Sequence, residues 1–367
     1  MDQYDVSVKS INCVCTRTNK QFILIDTPNT ENEIKWCEHA ILWEFEVFED
    51  CGNCIAMEQS GYISIVKTGS KEQKNKMQGV EIMNKKEIKL SNGMEMPRLG
   101  MGTWFLGENR SKDAEETAAL RAGIDAGIRL IDTAEMYGDG RSEQLIGRAI
   151  QGYDRSRLFL VSKVYPHNAG RRKIFKSLQQ TLKNLQTDYL DLYLLHWRGG
   201  IPLEETVECM EQLVKEGKIR SWGVSNFDTD DMEELFSVPN GNHCVVNQVL
   251  YHLGSRGVEF DLLPWLKEHN VPLMAYCPLA QAGDLQKDLL QSSAVKEVAR
   301  IHGITPMQVL LAFVLYKENV IAIPRSGKAE HVLQNLEAGK VHLTVEEYAR
   351  LDAAFPAPRK KTYLDIV

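Results

Sequence analysis

Four side chains in this sequence could together protonate an oxygen as negative charge builds on it: Asp132, Tyr137, Lys163 and His196. A free tyrosine titrates near pH 10, so it donates its proton sluggishly at neutral pH. A neighbouring ammonium stabilises the tyrosinate and lowers that pKa, and a carboxylate holds the ammonium in place. A drop of two units corresponds to roughly 2.7 kcal/mol of differential stabilisation. An imidazole opposite the phenol can hydrogen-bond the substrate oxygen and orient it. Taken singly, each residue has an ordinary structural use: the Asp as a cap, the Lys reaching for solvent, the Tyr and His as packing. A nucleophile triad is a poor match, because no Ser or Cys sits beside a base. A metal-dependent hydrolase would need clustered His and Asp ligands, and His252 is the one histidine that could join His196.

Position turns the four into a set. From Met83 onward, apolar runs alternate with amphipathic helices. The runs are Leu99–Trp104, Arg129–Ala134, Leu158–Val164, Asp191–Trp197, Ile219–Phe227, Cys244–His252, Pro272–Leu279 and Val320–Ser326. The intervening helices include Asp113–Ala126, Arg171–Leu185, Leu203–Glu216 and Ala294–Ile301, with an additional one at Pro306–Lys317 and two after the last run. Continuously apolar strands, each followed by a helix, imply parallel strands buried on both faces. Eight such units predict an α/β fold of the (β/α)8 TIM-barrel type. The stretch Glu87–Met96, alternating around Asn92-Gly93, predicts a β-hairpin ahead of the barrel. A doubly wound sheet is the rival, but no G-x-G-x-x-G follows any strand, and there is no P-loop. In a barrel the active face is the rim at the C-terminal strand ends. Asp132, Lys163, His196-Trp197, Ser225-Asn226, Gln248, Tyr276-Cys277 and Arg325-Ser326 all fall there, as does Trp104.

Composition is consistent with a globular enzyme. The chain has 367 residues, 43% hydrophobic and 25% charged, with a formal charge of -7. That charge argues against nucleic acid or anionic membrane as a partner, since both select a basic face. Met1-Asp-Gln-Tyr-Asp5 does not read as a secretory signal, and the longest apolar stretch, near Met307 to Tyr316, is too short to span a bilayer. The expected location is cytoplasmic, the expected partner a small molecule, with no obligate protein partner. Five of the eight cysteines lie between Cys13 and Cys54, and Cys51-Gly-Asn-Cys54 has the spacing of a zinc or redox pair. Its second half, Cys13-x-Cys15, is poor, so free thiols and no metal are expected.

Asp132-Thr-Ala-Glu-Met-Tyr137-Gly, Ser162-Lys163-Val, Leu194-Leu-His196-Trp197 and Gly223-Val-Ser-Asn-Phe227 resemble the signature segments of the aldo-keto reductases. Gln248, Ala275-Tyr276-Cys-Pro-Leu279 and Ile323-Pro-Arg-Ser326 extend the likeness, which runs from about residue 87 to Val367. Within the family it is greatest to a bacterial methylglyoxal-reducing branch, on His196-Trp-Arg-Gly199, Val249–Arg256 and Asp261–Trp265. The resemblance implies hydride transfer from NADPH, or possible use of NADH, to small aldehydes and ketones. It makes Tyr137 the general acid, Lys163 and Asp132 its partners, and His196 the group that orients the carbonyl. It implies that Ser225, Asn226 and Gln248 hold the nicotinamide amide, that Tyr276 stacks on the ring, and that the pyrophosphate runs near Leu279. Arg325 and Ser326 would grip the 2′-phosphate and Asn335 the adenine, with Trp104 and Trp197 at the substrate. Alternatives are an aldose or 2,5-diketo-gluconate-type reductase of the same superfamily, or a non-catalytic cofactor-sensing barrel. Three residues depart from the common pattern: Arg198 for proline, Cys277 for serine, and His331 for an arginine that NADP-preferring members carry. Short connections after the fourth and seventh strands and a brief tail suggest an open pocket.

Residues 1–82 lie outside this pattern and read as an N-terminal extension ahead of an 83–367 barrel. Gln21–Ile25 and Tyr62–Val66 are strand-like, Thr68 to Gln78 reads as a linker, and Trp36, Trp43, Phe45, Val47 and Phe48 could form a minor core. If the source is bacterial, Gln78–Met83 can be encoded with a purine-rich ribosome-binding element before a second start codon. On that reading translation begins at Met83.

Overall fold

The computed structural model describes residues 86–281 and 283–367, together with four strands nearer the N-terminus. The chain divides into two compact units, Met1–Ile82 and Met83–Val367. In the first, β1 (Ser10–Val14) pairs antiparallel with β2 (Gln21–Ile25), and β3 (Cys54–Gln59) with β4 (Tyr62–Lys67). Cys15, Cys37 and Cys51, the Thr68–Gln78 stretch and the five aromatic and aliphatic residues from Trp36 to Phe48 lie outside the described residues.

The second unit is a (β/α)8 barrel. Its strands are β7 (Gly100–Gly102), β8 (Leu130–Asp132), β9 (Phe159–Val164), β10 (Leu190–Leu195), β11 (Ile219–Ser225), β12 (Asn247–Leu250), β13 (Leu273–Tyr276) and β14 (Val320–Ala322), paired in chain order. Every pairing along this sheet is parallel. Closure comes from the first and last strands: Leu99 pairs with Ala322 and Gly102 with Arg325, both parallel. The Ala322 amide donates to the Arg98 carbonyl at 2.8 Å, and the Gly102 amide to that of Pro324 at 3.1 Å. The observed strands are shorter than the apolar runs, because a run continues past the last ladder bond into the rim.

Around the strands lie α1 (Asp113–Asp125), α2 (Arg141–Ala149), α3 (Ile174–Leu185), α4 (Leu203–Lys215), α5 (Thr229–Ser237) and α6 (Leu262–Glu268). Then come α7 (Asp284–Gln291), α8 (Ser293–His302), α9 (Pro306–Leu315), α10 (Ala329–Ala338) and α11 (Val345–Ala354). Helix α9 shows how firmly the sequence sets a boundary: Thr305 caps it in a capping box with Gln308, and Pro306 occupies its first turn. Among the described residues no single helix is long and apolar enough to cross a membrane.

Two apolar layers result. One lies between strands and helices. The other fills the barrel with Leu130, Phe159, Val161, Leu192, Leu194, Met274 and Ile321, and is continued by Leu90 and Met96. Those two belong to the hairpin β5 (Glu87–Lys89) and β6 (Glu95–Pro97), whose loop turns on Gly93 at φ +86°. The hairpin therefore plugs one end of the cylinder. Arg98 follows it, buried, with its guanidinium on the carbonyls of Leu315, Lys317 and Val320 at 2.6, 2.6 and 3.3 Å. It satisfies the C-terminal end of α9 and the strand that closes the barrel.

The closure seam has no spare room. A Cβ on Gly102 would meet the Ile323 carbonyl oxygen at 2.7 Å. Gly102→Ala is expected to cost about 1–3 kcal/mol through this overlap, seen as a fall of several degrees in the melting temperature. An unchanged melting temperature would show that the seam can widen.

Candidate active site

The rim opposite the hairpin gathers the predicted groups. Asp132 is the last residue of β8 and is buried, with both carboxylate oxygens engaged. Oδ2 accepts from Lys163 Nζ at 2.7 Å, and Oδ1 from Gln248 Nε2 at 2.8 Å. Lys163 points inward from β9 and is fully buried. Its ammonium uses three donors: on Asp132, on the Thr133 carbonyl at 2.8 Å, and on the Tyr137 hydroxyl at 3.2 Å. Phenol, amine and carboxylate thus form one contact chain.

Tyr137 is delivered by a tight reversal of the backbone. Its amide donates to the Ala134 carbonyl at 3.0 Å. Gly138, Asp139 and Gly140 then take φ of +56, +54 and +82° before α2 begins at Arg141. Left-handed geometry suits glycine and is tolerated by Asp, so Gly138-Asp-Gly140 lets the chain turn immediately behind the phenol. Arg141 Nε secures the turn by donating to the Gly138 carbonyl at 2.8 Å.

His196 follows β10, buried, with its ring 5.8 Å from that of Tyr137, edge to face. Burial, aided by the charge on Lys163, holds its pKa down to about 2, so the imidazole is neutral. Its Nδ1 has no protein partner among the described residues. Burial likewise pushes Asp132 up and Lys163 down, and each holds the other in its charged form. Tyr137 departs from expectation. Its pKa is raised well above the ordinary value, by burial first and then by Asp132, Cys277 and Tyr276. That is the reverse of the lowering expected from the sequence. The ammonium lies 3.2 Å from the phenol, but its charge is shared with Asp132, and burial outweighs it.

Asn226, at φ +58°, knits three strand ends together. Its Nδ2 donates to the His196 carbonyl at 3.1 Å, and its Oδ1 accepts from the Tyr276 hydroxyl at 2.9 Å. Ser225 Oγ donates to the Gln248 carbonyl at 2.9 Å. Left-handed Cys277 and Ala280 flank the turn after β13, where the Leu279 carbonyl accepts from Gln286 Nε2 at 3.0 Å. Arg325, Ser326 and Asn335 form a separate group at the end of β14 and along α10. Ser326 Oγ accepts from the Lys328 amide at 3.1 Å at the entry to α10, where unpaired amides suit an anion. Arg325 also reaches the opposite side of the seam, its Nε donating to the Trp104 carbonyl at 3.0 Å. Trp104 lies 6.4 Å from Tyr137 and stacks on Phe105; Trp197 sits edge-on to Tyr165 at 5.7 Å.

Glu135, to which the sequence assigns no role, has one in the structure. Its carboxylate accepts from the Tyr165 amide at 2.7 Å and from Asn168 at 3.1 Å, and also bonds Ser177, so it organises the loop after β9. So does Ser142, likewise missed, which donates to the carbonyl and hydroxyl oxygens of Thr103 at 3.1 and 2.8 Å. Helix α7 was missed too. The connection after β13 is therefore not the short one expected, and Leu289 of α7 is buried. The tail adds cover: Asp365 accepts from Ser255 at 2.5 Å, and Lys361 bridges Asp228 and Asp261 at 2.6 Å each. Arg198, which departs from the expected proline, pairs with Glu234 of α5 at 2.8 Å.

Comparison with known proteins agrees with this architecture. Residues 98–355 match the aldo/keto reductase family. Methylglyoxal reductase YeaE of Escherichia coli is 53% identical over 285 residues, which are 78% of this chain and all of that protein. Glyoxal reductase of Bacillus subtilis is 35% identical over 271 residues, 73% of this chain and 92% of that one. Among solved structures, an aldo/keto reductase from Klebsiella pneumoniae in complex with NADP and acetate superposes with a TM-score of 0.75 at 53% identity, covering 77% of this chain and all of that one. The chain belongs to the aldo/keto reductase family, and it is an oxidoreductase of that family.

The buried pair generates a stability test. Lys163→Met leaves Asp132 charged without its cation, at an expected cost of about 3–5 kcal/mol. Adding Asp132→Leu should recover most of that loss, measured by urea unfolding. A double variant no more stable than the single one would show that the pair's charges do not govern this region.

Proposed function

We propose that this chain reduces small aldehydes and ketones with NADPH, with methylglyoxal its foremost substrate and Tyr137 the proton donor. The observation that carries this reading is the Tyr137 hydroxyl, 3.2 Å from the Lys163 ammonium on the rim, with neutral His196 alongside. The named methylglyoxal and glyoxal reductases among its relatives support the substrate class. NADP in the Klebsiella structure supports the cofactor.

The residues fit that cofactor. His196 Nδ1 is a buried polar atom without a protein partner among the described residues, as expected where a polar ligand completes the site. Asn226 and Ser225 would hold the nicotinamide amide. Gln248 would join them through its amide oxygen, since its nitrogen is committed to Asp132. Tyr276, fixed by Asn226, would support the ring. Leu279 would lie along the pyrophosphate, Arg325 and Ser326 at the 2′-phosphate, and Asn335 at the adenine. When bound, NADPH supplies the hydride to the carbonyl carbon.

The chain's own work is to place and protonate the oxygen. His196, neutral at every working pH, donates a hydrogen bond that points the carbonyl towards Tyr137. Trp104 and Trp197 wall the small substrate. As charge grows on the oxygen, the phenol proton transfers to it. An elevated tyrosine pKa does not block this step, because an alkoxide is far more basic than a phenolate and the transfer stays downhill. Lys163, held by Asp132, then faces the tyrosinate and steadies it until solvent returns a proton. The whole reductase falls to the Met83–Val367 unit, a reading supported by the match that spans the complete E. coli protein.

Tyr137→Phe should lower kcat/KM for methylglyoxal by about 10²–10⁴-fold, followed as loss of NADPH absorbance. NADPH binding, read by fluorescence titration, should survive. Retained turnover would remove Tyr137 from the chemistry, and lost binding would make it a cofactor residue instead. Reduction requires the protonated phenol, and burial raises its pKa. The kcat profile should therefore stay level through neutrality and decline only above about pH 10, the free tyrosine value. A decline centred near neutrality would mean that another group supplies the proton.

A further inference from the structure

The backbone that follows β7 is held largely by side chains from elsewhere. The Thr103 carbonyl accepts from Ser142 Oγ at 3.1 Å and from the Leu106 amide at 2.9 Å, and Thr103 Oγ1 donates to the Asp132 carbonyl at 2.9 Å. On the far side, the Gly107 amide donates to buried Glu116 at 2.8 Å. Between these anchors lie Trp104 and Phe105, their rings stacked with centroids 4.4 Å apart. Phe105 is at φ +64° and half exposed. A bulky aromatic residue takes that conformation only when neighbouring interactions impose it. Here the Trp104 carbonyl, the peptide oxygen directly ahead of Phe105, is gripped by Arg325 Nε at 3.0 Å.

A guanidinium offers five donors in one rigid plane. Nε serves Trp104, while Nη1 and Nη2 make no hydrogen bond among the described residues. We propose that Arg325 is a positioning residue for the substrate wall as well as the grip on the cofactor's 2′-phosphate. Its Nη pair would take the phosphate as a fork, and because the group is planar, fixing that edge fixes Nε and hence the Trp104–Phe105 segment. The inference rests on the reading above that Arg325 faces the 2′-phosphate, and it adds a consequence. The phosphate, remote from the chemistry, would tighten the wall against a small carbonyl, and by linkage a bound carbonyl would tighten the hold on the phosphorylated cofactor.

The test uses full-length enzyme with methylglyoxal and each of the two nicotinamide cofactors. In the wild type, KM for methylglyoxal should be lower with NADPH than with NADH. With NADH, where no phosphate engages Arg325, Arg325→Gln should still raise the methylglyoxal KM, by about fivefold, and leave kcat within about twofold, the pattern of a lost uniform binding contribution. Arg325→Lys retains a charge for the phosphate but cannot serve both partners. It should raise KM for NADPH less than Arg325→Gln does, yet match it in the NADH assay, and the wild-type difference between cofactors in methylglyoxal KM should vanish. If both variants raise KM for NADPH while leaving the methylglyoxal KM with NADH at its wild-type value, Arg325 does not position the wall, and its phosphate role stands alone. If Arg325→Gln leaves KM for NADPH unmoved, the phosphate reading itself fails, and this inference goes with it.

Discussion

The rim depends on a charge pair kept out of water. Asp132 and Lys163, 2.7 Å apart and both buried, are stable only because every remaining donor and acceptor on them is used. The carboxylate takes Gln248 as well as the ammonium. The ammonium takes the Thr133 carbonyl and the Tyr137 hydroxyl. Each obligation pulls in a different strand end, so satisfying the pair also fixes the positions of β8, β9 and β12. The phenol is the one member of the chain that stays partly open to the mouth.

Around that pair, the rest is scaffolding with little slack. The seam between β7 and β14 sets where Trp104 and Arg325 meet. The left-handed run from Gly138 to Gly140 sets how far Tyr137 reaches. Asn226 joins His196 to Tyr276 through the two ends of a single amide. These hydrogen bonds join residues at or just past the strand ends, which favours a site held in one geometry before any ligand arrives.

Much of this could be read from the residues. Eight apolar runs gave the barrel because parallel strands bury both faces, and the strand-end rule then placed Asp132, Lys163 and His196 on one rim. Helix α7 was not legible: Asp284–Gln291 is short, mostly exposed and without a side-chain cap, so neither length nor a start signal marks it. The roles of Glu135 and Ser142 depend on partners 30 or more positions away, and no local pattern encodes such a distance. The direction of the tyrosine shift was misjudged for a related reason. Sequence shows that an amine is present, but burial and the cancelling carboxylate are properties of the folded site.

The hairpin at the other end has a consequence for how protons travel. Leu90 and Met96 continue the apolar filling of the cylinder, so beneath the charge pair there is hydrocarbon. The barrel acts as an insulated cup. A proton lost by the phenol is replaced from above, where Tyr137 is partly exposed, on the side where the organic substrate also arrives and leaves. Recharging the acid and clearing the product therefore share one doorway.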